Sequence, residues 1–376
     1  MKRFSLHQLL HSIIINNVKN KLTSLFAISL FLKLLFYTGG GCVAQQRTLL
    51  ALSKADHTLA IVDAVTLKVV ARVPVGSDPH EVIASSDGKT AYVSIYGGGS
   101  LHEINVIDLV AKKPLFNIDT RPFLGPHGLT FVGGKLWFTV EGSKCVGRYD
   151  PTTNKIDWCM GTGQDRTHMI YVTPDQKKIY TTNVSSGTVS ILTDTLFGQS
   201  GRPMQPPPGA GGSRPNGPPP PGFGPHRQWI QTLIPVSKGS EGFDVTPDGK
   251  ELWTASAGDG TIAIIDLESM KVSSTIDAKV FGANRLQFTP DGKMALVSSL
   301  RDGNVCVFDV ASHTEIKKIN AGNGGAGILV DPDRSRAFVG CTPDNYIAVI
   351  DLKTFKVISH IDVGGGPDGL AWAVRN

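Results

Sequence analysis

Thr246-Pro-Asp-Gly-Lys250, followed by Trp253-Thr-Ala-Ser256 and then by Ile265-Asp266, is one copy of a pattern that recurs along the chain. Its last element is a short apolar run that ends in aspartate. Seven copies of this element end at Asp63, Asp108, Asp150, Asp194, Asp266, Asp309 and Asp351. Successive aspartates are 45, 42, 44, 72, 43 and 42 residues apart. Repeats of about 40–45 residues built from short strands are typical of propeller blades, so the seven copies predict a seven-bladed β-propeller.

The first element of the pattern predicts a tight turn between two strands. Proline presets one central dihedral angle of such a turn, and glycine supplies a positive one. A run of β-branched and aromatic residues follows the turn, as in Tyr92-Val-Ser-Ile95. In that unit the predicted strands are 81–85, 90–95, 103–109 and 115–118. Each blade is therefore expected to be a four-stranded antiparallel sheet, and the fold class is all-β.

The two ends of the chain complement each other. Residues 47–75 contain three predicted strands with no inner strand before them. At the other end, Asp368-Gly-Leu-Ala-Trp-Ala-Val374 is a single predicted strand with no partners after it. We therefore expect the C-terminal strand to become the inner strand of the first blade. Closure of this kind joins the ring by hydrogen bonds and leaves only short edges.

These repeats resemble those of the YVTN-repeat family, the YncE-like bacterial propellers. Tyr180-Thr-Thr-Asn183 and Tyr92-Val-Ser-Ile95 are close to the tetrapeptide that names the family. The resemblance covers roughly residues 47–374. It implies a propeller fold, but it implies no single activity, because such propellers serve many roles and function depends on the site.

The first 44 residues are expected to be an export signal or a membrane anchor, and residues 45–376 the propeller. The segment has basic residues, no acidic residue and a mainly apolar stretch over 22–37. Cleavage after Ala44 would release a soluble periplasmic protein, whereas a lipid on Cys42 would make an envelope lipoprotein. Of the formal net charge of +5, five basic residues belong to this segment. The remaining body is near neutral, so no nucleic-acid partner is expected.

Residues 198–226 are a Pro/Gly-rich stretch that explains the one long step between aspartates. Such a composition cannot build a packed core. The stretch falls between two predicted strands of one blade, so it is expected to be a loop insertion that does not divide the domain. It could serve as a polyproline ligand or simply as a tolerated surface insertion.

Two cysteines fall in the third and fourth predicted strands of one blade. Cys145 and Cys159 are equally distant from the intervening turn, so the sequence predicts that they face each other across the ladder. An exported protein could join them in a disulfide, and the alternative is a pair of buried thiols. The chain lacks the Cys-x-x-Cys-His motif of covalent haem attachment, which argues against a redox propeller.

One position recurs at the start of every predicted inner strand. All inner strands run in the same direction beside the axis, so their first residues must meet at one mouth of the channel. The position carries His80, His127, His168, Glu241, Asn284, Ala326 and Asp368, and Arg285 follows Asn284. Loops between second and third strands are expected to add Lys54, His102, Glu141, Asn183, Asp259, Arg301 and Asp344. We predict a ligand-binding mouth formed by His80, His127, His168, Glu241, Asn284, Arg285 and Asp368.

Two kinds of function are consistent with this mouth. The first is non-catalytic binding of a small polar ligand or an envelope protein, by a protein expected to be a monomer without a cofactor. The second is a metal-assisted hydrolase or lyase, in which one divalent ion would be held by His80, His127, His168 and Glu241. Neither a Gly-x-Ser-x-Gly nor a His-Glu-x-x-His motif occurs in the sequence, so no stronger catalytic pattern decides between them.

Overall fold

The structure is a computed structural model that describes residues 46–197 and 226–375. These residues form 28 β-strands in seven four-stranded antiparallel sheets, which confirms the predicted all-β, seven-bladed propeller. The only helical segments within them are two 3₁₀ turns, Gly97–Gly99 and Thr342–Asp344. In this described part of the chain, no helix is long and apolar enough to cross a bilayer. The predicted export segment, residues 1–44, and residues 198–225 of the predicted insertion lie outside it.

The strands follow the chain blade by blade. The first blade starts with β1 (Gln46–Ser53), β2 (Thr58–Asp63) and β3 (Val69–Pro74). The second blade contains β4 (Pro79–Ala84), β5 (Thr90–Ile95), β6 (Glu103–Asp108) and β7 (Lys113–Asp119). The third contains β8 (Pro126–Val132), β9 (Lys135–Val140), β10 (Cys145–Asp150) and β11 (Lys155–Gly161). The fourth contains β12 (Thr167–Val172), β13 (Lys178–Asn183), β14 (Thr188–Phe197) and β15 (His226–Pro235).

Three further blades complete the ring. The fifth contains β16 (Ser240–Val245), β17 (Glu251–Ser256), β18 (Ile262–Asp266) and β19 (Lys271–Ile276). The sixth contains β20 (Ala283–Phe288), β21 (Met294–Ser299), β22 (Asn304–Asp309) and β23 (Thr314–Asn320). The seventh contains β24 (Gly325–Val330), β25 (Arg336–Cys341), β26 (Tyr346–Asp351) and β27 (Lys356–Ile361). The last strand, β28 (Pro367–Arg375), returns to the first blade.

The predicted closure by the C-terminal strand is confirmed. β28 pairs antiparallel with β1, from Gln46 opposite Arg375 to Ser53 opposite Pro367. The order across the first blade is therefore β28, β1, β2, β3, so the last strand takes the innermost place. The first blade depends on residues from both ends of the propeller.

The apolar cores lie between neighbouring blades. One core joins Leu52 and Ile61 of the first blade to Val93 and Ile107 of the second, all nearly inaccessible to solvent. Another joins Leu49 of the first blade to Phe338 of the seventh. Because apolar burial is the main favourable term in folding, each blade is stabilised chiefly by its neighbours.

The innermost strands pack so closely that glycine stands at four of the seven equivalent positions around the ring. The third position of each inner strand carries, in ring order, Gly369, Glu81, Gly128, Met169, Gly242, Arg285 and Gly327. A Cβ atom on Gly327 would lie 2.1 Å from the carbonyl oxygen of Asp368 in the next blade. This packing excludes side chains at the glycine positions, and Glu81, Met169 and Arg285 are left to fill the channel.

The hairpin that flanks the insertion is longer than the sequence predicts. β14 and β15 pair over ten residues each, from Thr188 opposite Pro235 to Phe197 opposite His226. Both strands belong to one blade, with the order β12, β13, β14, β15. The described residues on either side of the insertion therefore form one continuous sheet.

The expected pairing of the two cysteines is wrong. A β-bulge between Arg148 and Tyr149 shifts the register, so Cys145 lies opposite Gly161 and Cys159 opposite Gly147. The turn pairs Asp150 with Lys155, which already offsets the two cysteines by one residue, and the extra residue on β11 adds a second. Both cysteines are free thiols, Cys145 buried and Cys159 exposed.

Candidate functional site

The residues predicted to meet at the channel mouth line one cavity of about 540 Å³. The cavity wall includes the following residues: Lys54, Ala55, His80, Tyr96, His127, Arg166, His168, Glu241, Asn284, Arg285, Leu300, Ala326, Thr342, Gly366 and Asp368. All seven residues of the predicted site are among them. Whether the cavity binds a ligand stays a prediction. Of the seven loop residues expected at this mouth, only Lys54 belongs to the described wall.

The backbone before each inner strand explains why these side chains converge. We call the second residue of each inner strand, such as His80 of β4, a mouth residue. The residue two positions before each mouth residue has a positive φ, and these residues are Gly366, Asp78, Gly125, Arg166, Gly239, Gly282 and Gly324. This left-handed conformation favours glycine, which stands at five of the seven positions. Arg166 adopts it with φ 54° despite its side chain. Such strain is most often found where a side chain is needed in place, and Arg166 reaches into the cavity.

Each inner strand then contains a β-bulge that places the mouth residue. In the second blade Pro79 pairs with Ile95 and Val82 pairs with Val93. Two residues of β4 between these pairs therefore lie opposite one residue of β5. The same shift occurs at the start of β8, β12, β16, β20 and β24. A bulge bends the strand and changes the direction of its side chains. Here it lies at the mouth residue and the residue after it.

Buried hydroxyl groups fasten these bulges to the next blade. Thr139 accepts a hydrogen bond from the Gly128 N–H at 2.8 Å and donates one to the His168 carbonyl. Ser298 accepts from the Arg285 N–H at 3.2 Å and donates to the Ala326 carbonyl at 2.7 Å. The backbone of one mouth residue is thus fixed by the second strand of the preceding blade. Serine and threonine in the second strand therefore indicate where the mouth residue of the next blade is held, although this role was not predicted from the sequence.

Two histidines and a glutamate form the most buried group at the mouth. His127 is 2 % exposed, His168 3 % and Glu141 5 %, and the two imidazole centroids are 4.0 Å apart. His168 Nδ1 forms a hydrogen bond with Glu141 Oε1, and the Tyr96 hydroxyl donates to Glu141 Oε2. One ligand atom from each of His127, Glu141 and His168 lies within 4.8 Å of the others.

Burial and neighbouring charges set the protonation of this group. Burial, helped by the nearby cationic side chains, lowers the pKa of His127 well below its usual value, so its imidazole is neutral. Burial alone would raise the pKa of Glu141, but the hydrogen bonds from His168 and Tyr96 outweigh it and keep that pKa below its usual value. The group therefore contains an ionised carboxylate beside a neutral imidazole.

The ion pairs of the mouth separate the other predicted residues into two groups. Lys54 Nζ donates to His80 Nε2 at 2.6 Å and lies 3.4 Å from Asp368 Oδ2. Burial lowers the pKa of His80, which suits its role as an acceptor. In the second group, Glu241 accepts from Asn284 Nδ2 at 2.8 Å and lies 3.3 Å from an Arg166 nitrogen.

The sequence-predicted metal ligands are therefore not all in one group. The structure brings His127 and His168 together with Glu141, whereas Glu241 is bound by Arg166 and Asn284. His80 is held by Lys54. Glu141 was expected only as a loop residue near the mouth, and Tyr96 was not predicted. The β5–β6 loop that follows Tyr96 carries no repeated pattern that would have identified it.

A buried ion pair crosses the channel below the mouth. Glu81 of the second blade and Arg285 of the sixth pair through Oε1 and a terminal guanidinium nitrogen. The two blades lie on nearly opposite sides of the ring. Arg285 also lines a second cavity of about 340 Å³, with Asp244, Met169 and Trp372 in its wall. The ion pair therefore separates two cavities within one channel.

Comparison with known proteins supports the fold and nothing more specific. No protein-family model matches the sequence, and no curated protein matches it. Among solved structures, a functionally unknown protein from Desulfotomaculum acetoxidans DSM 771 is similar, with a TM-score of 0.67, 13 % identity and coverage of 88 % of this chain and 99 % of that one. A protein from Bacteroides fragilis NCTC 9343, described as a candidate 6-phosphogluconolactonase, has a TM-score of 0.66, 14 % identity and coverage of 88 % and 99 %. At such identities the likeness shows that the chain shares the β-propeller fold of these proteins.

Proposed function

We propose that the mouth cavity binds a small, hydroxyl-rich polar molecule. The observation that carries the proposal is a set of unpaired, buried polar atoms on side chains that line one cavity. His127 Nδ1, His168 Nε2 and Asn284 Oδ1 have no hydrogen-bond partner among the described residues. A buried polar atom left unpaired costs about 1–3 kcal/mol, so three such atoms on the side chains of one cavity wall favour a polar partner that can hydrogen-bond to them.

The chemistry of the wall favours hydroxyl groups over a single charge. Lys54, Arg166 and Arg285 supply donors, and Glu241 and Asp368 supply acceptors, in the same cavity. Each of these cations is already close to a carboxylate. An inorganic ion bound at these five side chains would therefore compete with existing pairs, whereas each hydroxyl of a polyol or sugar acid both donates and accepts. Sugar acids and related polyols carry several such groups and suit a cavity of about 540 Å³.

Sodium gluconate is the first probe of this proposal. We expect it to raise the melting temperature of the purified protein, because a ligand that binds only the folded state stabilises it by mass action. Glu241→Gln should weaken binding about tenfold or more in isothermal titration calorimetry, because it removes a charged acceptor from the wall. Glu268→Gln, the same change at an exposed position, serves as the control. If neither gluconate nor a panel of neutral polyols binds, or if both variants bind equally, the proposal fails.

A second candidate is hydrolysis at the same mouth. The specific observation is the Glu141–His168 pair, in which the carboxylate orients the ring and leaves His168 Nε2 unpaired within the described residues. Such an imidazole can act as a general base on water. One structural neighbour is described as a candidate 6-phosphogluconolactonase, so gluconolactone is the substrate to include. Lactone opening faster than the spontaneous rate, and lost in His168→Ala, would favour this candidate over binding alone.

We also propose that the chain belongs to the YVTN-repeat propellers and acts in the periplasm or cell envelope. The tetrapeptides at 92–95 and 180–183 support the first point, and the basic and apolar composition of residues 1–44 supports the second. Osmotic-shock fractionation of cells that express the full chain should place the protein in the periplasmic or membrane fraction. Recovery in the cytoplasmic fraction with an intact N-terminus would reject export.

A further inference from the structure

The group formed by His127, Glu141 and His168 has the residue types and the closeness of a metal centre. His127 begins the inner strand of the third blade, His168 begins that of the fourth, and Glu141 follows β9. Two imidazoles and a carboxylate supply the nitrogen and oxygen ligands that Zn²⁺ takes in open sites. The three side chains come from two adjacent blades, so ring closure holds them near one another without any metal.

The unpaired nitrogens that support the polar-ligand proposal also fit a cation. His127 Nδ1 and His168 Nε2 are buried, lack hydrogen-bond partners among the described residues, and belong to side chains that line the cavity. Nitrogen without a proton is a metal ligand, and burial excludes most of the water that would otherwise compete. His168 Nδ1 is already hydrogen-bonded to Glu141 Oε1, so an ion held by both residues would replace this contact.

We propose that His127, Glu141 and His168 bind one divalent transition-metal ion, with Zn²⁺ as the best fit. The proposal shares its cavity with the proposed ligand-binding function and adds the ion to it. Ligands around a tetrahedral zinc ion at about 2.0–2.2 Å stand roughly 3.4 Å apart, so the three side chains, with ligand atoms within 4.8 Å of one another, would have to move closer to share one ion. Because His127 and His168 also line the 540 Å³ cavity, the ion would lie beside the proposed polar ligand.

Calorimetric titration with ZnCl₂ tests the site directly. Tag-free protein is first dialysed against a chelator and then against buffer. We expect one Zn²⁺ per chain with micromolar or tighter affinity, and a loss of at least about 100-fold in His127→Ala and in Glu141→Gln, because each removes a ligand. His127→Gln provides a second variant of similar polarity if the alanine variant does not fold, as judged by its far-UV circular dichroism.

Two matched variants separate this ligand set from the one that the sequence predicts. His80→Ala and Glu241→Gln remove residues of the same types from the same cavity but outside the proposed group, so each should leave Zn²⁺ affinity within about threefold. His360→Ala, an exposed histidine on β27, controls for surface binding. Absence of saturable Zn²⁺ binding, or equal losses of affinity in the variants inside and outside the proposed group, overturns the metal proposal. Gluconate binding that persists in that case leaves the binding function standing, and its absence rejects both.

Discussion

Deleting residues 368–376 is expected to destroy the cooperative unfolding transition of the propeller or to lower its midpoint by at least about 15 °C. The deletion removes nearly all of β28, which pairs with β1 along its length. Ala371 and Ala373 are nearly fully buried in the core between the first two blades, and the Trp372 indole donates to the Val330 carbonyl of the seventh. A loss of this kind exceeds the small net stability of most folded domains.

Thermal unfolding followed by circular dichroism measures this effect, and limited proteolysis reports where the chain opens. Deleting only residues 375–376 is the matched control. Arg375 contributes a hydrogen bond to exposed Gln46, so its loss should change the stability by no more than about 1 kcal/mol. If the longer truncation melts like the full-length protein, closure by β28 does not stabilise the ring.

The fold was predictable because its evidence is repeated along the chain. Seven aspartates at similar steps give the number of blades, and the orphan strands at 47–75 and 368–374 give the closure. The pairing register was less predictable, because one bulged residue changes every partner beyond it. The pairing of Asp150 with Lys155 at the turn and the bulge at Arg148 together offset Cys145 and Cys159, and nothing in the spacing of the cysteines indicates the bulge.

The candidate site was predictable only as far as backbone geometry determines it. Parallel inner strands must bring their first residues to one mouth, and the seven predicted residues do line one cavity. Which side chains pair there depends on packing that strand position does not encode. Glu241 and Glu141 illustrate this, because Glu241 is paired with Arg166 and Glu141 is hydrogen-bonded to His168. Arg166 could have been noticed in the sequence, because it occupies a position before the inner strand where most blades have glycine.

Replacing Arg285 with methionine is expected to destabilise the protein by about 3–5 kcal/mol, a shift of roughly 6–15 °C in midpoint. The side chains of Arg285 and Glu81 are only 10 % and 11 % exposed, so the variant leaves a buried carboxylate without its partner. Glu81 lies on an innermost strand and is buried, so its carboxylate stays in the channel. The cost arises from the uncompensated charge more than from the lost attraction.

Because the loss of stability arises from the unpaired Glu81 carboxylate, a second substitution that removes this charge should reverse it. The double variant Glu81→Gln with Arg285→Met removes both charges and should recover most of the lost stability, because replacing a buried ion pair by less polar groups is often nearly neutral. Arg334→Met breaks the exposed pair with Asp291 and should cost no more than about 1 kcal/mol. Denaturant unfolding of the wild type, the two single variants, the double variant and the surface control measures the free energy of unfolding of each protein. A double variant as unstable as Arg285→Met alone would mean that the arginine stabilises the channel by packing, since removing the carboxylate charge would then have restored nothing.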